Sequence, residues 1–123
     1  MSGMKTDPFC IEVTRETVKK FAKSISFPKD DAVVPPTLPI IFWNAVKINW
    51  LSPFTNPVIH GKQSFSYQQV ILIGEVYTCV ITLKKITDKQ GKRGRMLILE
   101  HELEGRQGTS LHFTSSTTLI VYP

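Results

Sequence analysis

Residues 60–73, HGKQSFSYQQVILI, are the stretch whose reading decides the fold. The His-Gly step opens an alternating aromatic strand, with Phe65 and Tyr67 on one face. Three more strand-like runs of about ten residues follow it to the C-terminus. In the first, Tyr77, Cys79, Ile81 and Leu83 alternate with Val76, Thr78, Val80 and Thr82. In the next, Leu97, Leu99 and Leu103 oppose Glu100, Glu102 and Glu104; His101 falls in the apolar phase, as a half-buried histidine with satisfied polar atoms. The last places Leu111, Phe113, Ser115, Thr117, Leu119 and Val121 opposite a polar set that includes His112. Gly105-Arg106-Gln107-Gly108 reads as a hairpin turn, and residues 88–94 as a longer glycine-bearing one.

Upstream, residues 39–51 (PIIFWNAVKINWL) have only Asn44, Lys47 and Asn49 as polar members. Their length predicts a helix, and a helix apolar on every side needs a wrapper. A long antiparallel sheet supplies one, so the predicted fold is α+β, a sheet wrapped around a central buried helix. Before it lies the loop 26–36, which contains Pro28, Asp30, Asp31 and the Pro35-Pro36 pair; prolines there forbid a continuous helix. Thr14 is the predicted N-cap of a short helix, with Glu16 in its first turn and Val18, Phe21, Ala22 and Ile25 on one face. Residues 9–13 suit a short edge strand, and residues 1–8 a loose lead-in.

At 123 residues the chain is expected to form a single domain, 1–123, large enough for a core without disulfide or metal staples. Apolar residues at 41% and charged residues at 20% are ordinary for a soluble protein. No apolar run reaches the roughly 18 residues needed to cross a bilayer, and the N-terminus lacks a signal-peptide core, so the expected location is cytoplasmic. Cys10 and Cys79 are expected to be buried small hydrophobes, and the three scattered histidines do not form a metal site. The net charge of +5 is concentrated in residues 84–95, which hold six of the 15 Lys and Arg. Such a cluster is either a solvated hairpin end or a docking point for phosphate or an acidic partner.

The order of strand, helix ending FAKSI, proline loop, PPTLP and apolar helix, HGKQSFSYQQV, then long strands closing on TLIVY resembles the hot-dog fold. More narrowly, it is similar to MaoC-like dehydratases: their N-terminal half-domains and the small non-catalytic subunits of 3-hydroxyacyl-thioester dehydratases. The similarity spans residues 10–122. Active members carry an Asp and a His five residues apart after the first helix, for general acid/base chemistry at the thioester's α-carbon and β-hydroxyl. The matching stretch here, SISFPKDDAVV, has no histidine. The resemblance therefore implies a binding half whose partner does the chemistry.

By the same resemblance, Phe42, Trp43 and Val46 would line an acyl tunnel, though plain core packing explains each of them too. Amides near Thr37 would polarise a thioester carbonyl, an idea weakened by the donors that prolines remove. Lys84, Lys92, Arg93 and Arg95 would meet the phosphates of coenzyme A or the acidic helix of an acyl carrier protein. No cofactor is expected beyond coenzyme A or phosphopantetheine as part of the substrate. The partner would be a catalytic hot-dog subunit or a second copy of the chain.

A second function class is a stand-alone hydratase or acyl-CoA thioesterase, with His60 acting beside Asp30 or Asp31; His60 as a structural histidine is the plainer reading. A basic nucleic-acid-binding β protein ranks last, because the aromatics are not interleaved with the cluster as a stacking platform requires.

Overall fold

The computed structural model describes residues 3–25, 34, 35, 37–54, 56, 58–92 and 94–123. Asp30, Asp31 and Arg93 lie outside the described residues, as does most of the proline loop.

Five antiparallel strands form one sheet: β1 (Phe9–Glu12), β2 (Ile59–Tyr67), β3 (Val76–Gly91), β4 (Gly94–Gln107) and β5 (Ser110–Val121). Their order is β1-β3-β4-β5-β2, so β1 and β2 are the edges. The predicted alternation holds in the centre, where Tyr77, Cys79, Ile81 and Leu83 of β3 are buried along with Leu99 and Leu103 of β4. One face is therefore apolar and the other carries Thr and Glu, as period-2 patterning requires.

Helix α1 (Arg15–Ser24) begins where Thr14 predicted. The Thr17 amide donates to Thr14 Oγ1 at 3.1 Å, satisfying one orphan donor of the first turn. Val18 and Phe21 anchor the helix in the core.

Several expectations are corrected. Residues 39–51 do not form one α-helix: a 3₁₀-helix spans Leu38–Ala45, and a separate 3₁₀ turn spans Asn49–Leu51. The bonds are of the i→i−3 kind, from Ile40 N to Thr37 O and from Val46 N to Trp43 O. Pro39 offers no donor, and the β-branched Ile40, Ile41, Val46 and Ile48 disfavour continued α-helix. Leu38 and Phe42 of this element are buried, whereas Trp43 is half-buried and Ala45 exposed.

Gly105 is no turn residue: it lies within β4 opposite Phe113, and the tight connection falls at Gly108, with φ 59°. The 88–94 loop is also shorter than predicted, because the β3–β4 ladder continues to Gly91 opposite Gly94. β2 ends at Tyr67, so the apolar residues 70–73 lie beyond the sheet. The lead-in is hydrogen-bonded: Gly3 N donates to Leu83 O, Leu83 N to Met4 O, and Thr6 N to Ile81 O. Cys79 is buried, but Cys10 is exposed because it takes the opposite phase of edge strand β1; both are free thiols.

Candidate functional site

Two cavities flank the first 3₁₀-helix. The larger, about 590 Å³, lies between β1, α1 and that helix, with Val13, Phe21, Leu38, Ile41 and Phe42 as apolar walls. Lys20, Thr17 and Ser24 supply its polar lining from α1. The smaller, about 170 Å³, lies against the β2–β5 edge and is lined by Ile40, Trp43, His60, Gln63, Thr117 and Leu119. Phe42 and Trp43, predicted to share one acyl wall, thus face different cavities. Val46 is half-buried and lines neither.

The amides after Thr37 are committed. Leu38 N donates to Pro35 O at 3.0 Å, Ile40 N donates to Thr37 O at 3.1 Å, and Pro39 has no N–H. Thr37 itself is exposed and makes no side-chain cap. The carbonyl-polarising group expected there is therefore not assembled from residues 38–40.

A β-bulge sets up the smaller cleft. His60 pairs with Leu119 and Lys62 with Thr118, so Gly61 is the extra residue. The bulge turns His60 and Gln63, three apart in sequence, onto the same inner face, where an unbroken strand would oppose them. Gln63 Nε2 donates to Ser115 Oγ at 2.6 Å, and Thr117 Oγ1 donates to Gln63 Oε1 at 2.7 Å. Ser115 and Thr117 are buried polar residues in the apolar phase of β5, and this pairing satisfies them.

Behind the cleft, His101 is only 2% exposed. Trp50 Nε1 donates to His101 Nε2 at 2.9 Å, and the Trp43 ring packs edge-on against the imidazole at 5.1 Å. Accepting at Nε2 puts the proton of the neutral ring on Nδ1. That N–H lies beside the backbone of Leu99 and Thr117 without a well-aligned bond. Burial pushes the His101 pKa down, opposed by those backbone groups. Trp43 Nε1 is also buried without a partner. Sequence reading placed His101 in the apolar phase but missed its Trp50 partner, 51 residues away. Gln63 and Thr117 were missed as site residues; only their shared strand phase once the bulge is counted marks them.

Of the predicted phosphate-binding cations, the described ones, Lys84, Lys92 and Arg95, are spread along the β3–β4 hairpin. Lys84 sits at a bulge and approaches Glu102 at 3.8 Å, while Arg95 is engaged by Asp88, with Nη2 to Oδ2 at 2.8 Å. That pair lowers the Asp88 pKa and raises that of Arg95, chiefly through the hydrogen bonds between them. Lys92, at the tip, is exposed. Among the described residues no cluster of His, Cys, Asp or Glu forms a metal site, and no helix is long and apolar enough to cross a membrane.

Residues 1–111 match the family described as FAS1-like, dehydratase domain region. A UPF0336 protein of Thermobifida fusca is 32% identical over 129 residues, covering 89% of this chain and 82% of that protein. The structure is similar to a chain of the HadBC (3R-hydroxyacyl-ACP dehydratase) complex of Mycobacterium tuberculosis, with TM-score 0.77, 19% identity and 97% and 96% of the two chains covered. It is also similar to a chain of the ChsH1–ChsH2 complex of the same organism, with TM-score 0.75, 11% identity and 96% and 88% covered. The chain has the hot-dog fold of the MaoC-like dehydratases and belongs to the FAS1-like dehydratase domain family.

Proposed function

We propose that this chain is the acyl-thioester-binding, non-catalytic subunit of a 3-hydroxyacyl-CoA or 3-hydroxyacyl-carrier-protein dehydratase, working beside a catalytic hot-dog subunit. The disposition of its three histidines carries this reading. His101 is held by Trp50, and His112 sits at a bulge against Tyr77, so only His60 lines either cavity flanking the 3₁₀-helix. No described carboxylate joins His60 in its cleft, and the stretch after α1 that holds the Asp/His pair in active relatives has no histidine here. A partner that supplies the pair completes the chemistry.

The sheet edge supports such a partner. Among the described residues β2 pairs only with β5, so its outer side offers an edge to another strand. Val58, Ile59, Val70 and Leu72, within and beside this strand, are 41%, 43%, 71% and 51% exposed, an apolar set suited to burial against a second hot-dog unit. The similarity to chains of the HadBC and ChsH1–ChsH2 complexes agrees with a heteromeric arrangement.

The 590 Å³ cavity, walled by Phe42, Leu38 and Phe21, suits an aliphatic acyl chain. The hairpin cations Lys84, Lys92 and Arg95, together with Arg93 as read from the sequence, are assigned to coenzyme A phosphates or the acidic face of a carrier protein.

Crotonyl-CoA hydration by the purified chain, followed by loss of enoyl absorbance with light scattering on the same sample, tests this. The expected result is inactivity alone and turnover when the catalytic hot-dog subunit is added. Full activity from a homodimer, abolished by His60→Ala, would overturn the proposal and establish the stand-alone enzyme.

A further inference from the structure

The cleft beside His60 has features that core packing does not require. Gly61 bulges out of the β2–β5 ladder so that His60 and Gln63 share the inner face. Gln63 is fixed on both sides by the hydroxyls of Ser115 and Thr117, which are 0% and 4% exposed. Its amide nitrogen carries two hydrogens and Ser115 takes one, leaving one N–H to donate. The His60 imidazole makes no hydrogen bond to a described residue. Two polar groups with unused capacity therefore stand between the apolar walls of Ile40, Trp43 and Leu119.

The lining also selects the ligand. Among the described residues, no Lys, Arg, Asp or Glu borders the cleft, so these walls offer a bare carboxylate or phosphate no counter-charge. An uncharged carbonyl or hydroxyl would meet His60 and Gln63 while its carbon neighbours met the apolar walls. At about 170 Å³, the cleft holds roughly six heavy atoms if each takes the ~30 Å³ of a water in the liquid. A four-carbon acyl group bearing a hydroxyl and a carbonyl is of that size. Longer aliphatic chains match the size and apolar walls of the larger cavity, which Ile41 and Phe42 of the 3₁₀-helix line.

We infer that this cleft is a subsite for a short, oxygen-bearing acyl group, with His60 and Gln63 as its polar contacts. The inference rests on the acyl-thioester reading above and adds to it a site, a size and a polarity.

The test is NMR of the full chain with ¹³C-labelled histidine, titrated with 3-hydroxybutyryl-CoA and with butyryl-CoA. Three histidines give a simple spectrum, and His60→Asn assigns the signal. The hydroxylated compound is expected to shift His60 with an affinity about tenfold tighter than butyryl-CoA, the equivalent of one net hydrogen bond. Gln63→Leu should erase that ratio. Because Gln63→Leu also strands two buried hydroxyls, His60→Phe, at an exposed position, is a second variant that should reduce it with the fold intact. Equal affinities in the native chain, or a ratio that survives His60→Phe, would overturn the subsite. Acyl-CoA binding that leaves His60 unmoved would remove the subsite and keep the acyl-binding reading. No binding of either compound at millimolar concentration would remove both.

Discussion

Replacing Gly105 with alanine should strike the centre of the core. Gly105 lies in β4 opposite Phe113, and a Cβ built on it would sit 2.1 Å from Phe113 Cζ and 2.3 Å from Cε1. Carbon atoms prefer about 3.5 Å, so the ring must move by more than 1 Å. Phe113 has little freedom, being fully buried and packed against Tyr77 at 5.4 Å and Phe42 at 5.8 Å. Overpacking of this kind costs about 1–3 kcal/mol. The reduced entropy of the unfolded alanine chain offsets about 0.4–1 kcal/mol. The net expectation is a loss of about 1.3 kcal/mol, or roughly 5 °C in Tm for a domain of this size. Guanidinium and thermal unfolding at matched protein concentration would measure it. Adding Phe113→Leu to Gly105→Ala should return at least about 1 kcal/mol relative to the sum of the single changes, because the two sites share one space. A Gly105→Ala protein within about 0.5 kcal/mol of the parent would refute the steric argument.

Three further outcomes follow from buried polar groups and thiols. Trp50→Phe should destabilise the fold by about 1–3 kcal/mol by leaving His101 Nε2 without its donor. His101 has a folded pKa below its unfolded 6.5, so its contribution is fully present above that value and is lost as pH falls through the folded pKa. Unfolding measured from pH 7.5 downward should therefore show a decline below about 6.5 that is smaller in His101→Gln; an unchanged profile would refute the assignment. Iodoacetamide at pH 8 should label the exposed Cys10 in the native protein and leave Cys79, whose thiol burial pushes up to about 12, until the chain unfolds. Equal labelling of both, read by mass spectrometry of peptides, would contradict the burial of β3.

Sheet membership was legible wherever burial follows a simple period. Tyr77 to Leu83 and Phe113 to Val121 alternate in sequence and in burial alike, because one sheet face is dry. Thr14 was readable as a cap because capping is local chemistry. The apolar run 39–51 was readable as core-facing but not as 3₁₀, since periodicity cannot separate a tightened helix from an α-helix over so few turns. Gly105 carried a turn signal, yet its glycine serves a close approach by Phe113, a contact between neighbouring strands that no local pattern records.

The candidate sites divide along the same line. By itself the sequence determined an α+β chain with long antiparallel strands, a hot-dog resemblance, and the lack of a histidine after the first helix. These follow from residue chemistry and from spacing within single segments. Tertiary structure alone decided that Phe42 and Trp43 face different cavities, that Trp50 holds His101, and that Asp88 engages Arg95. It also brought His60 and Gln63 onto one face, because a single bulged residue reverses the phase of every side chain after it. Strand phase is set by pairing with a neighbour, and that neighbour, β5, begins more than 40 residues further along the chain.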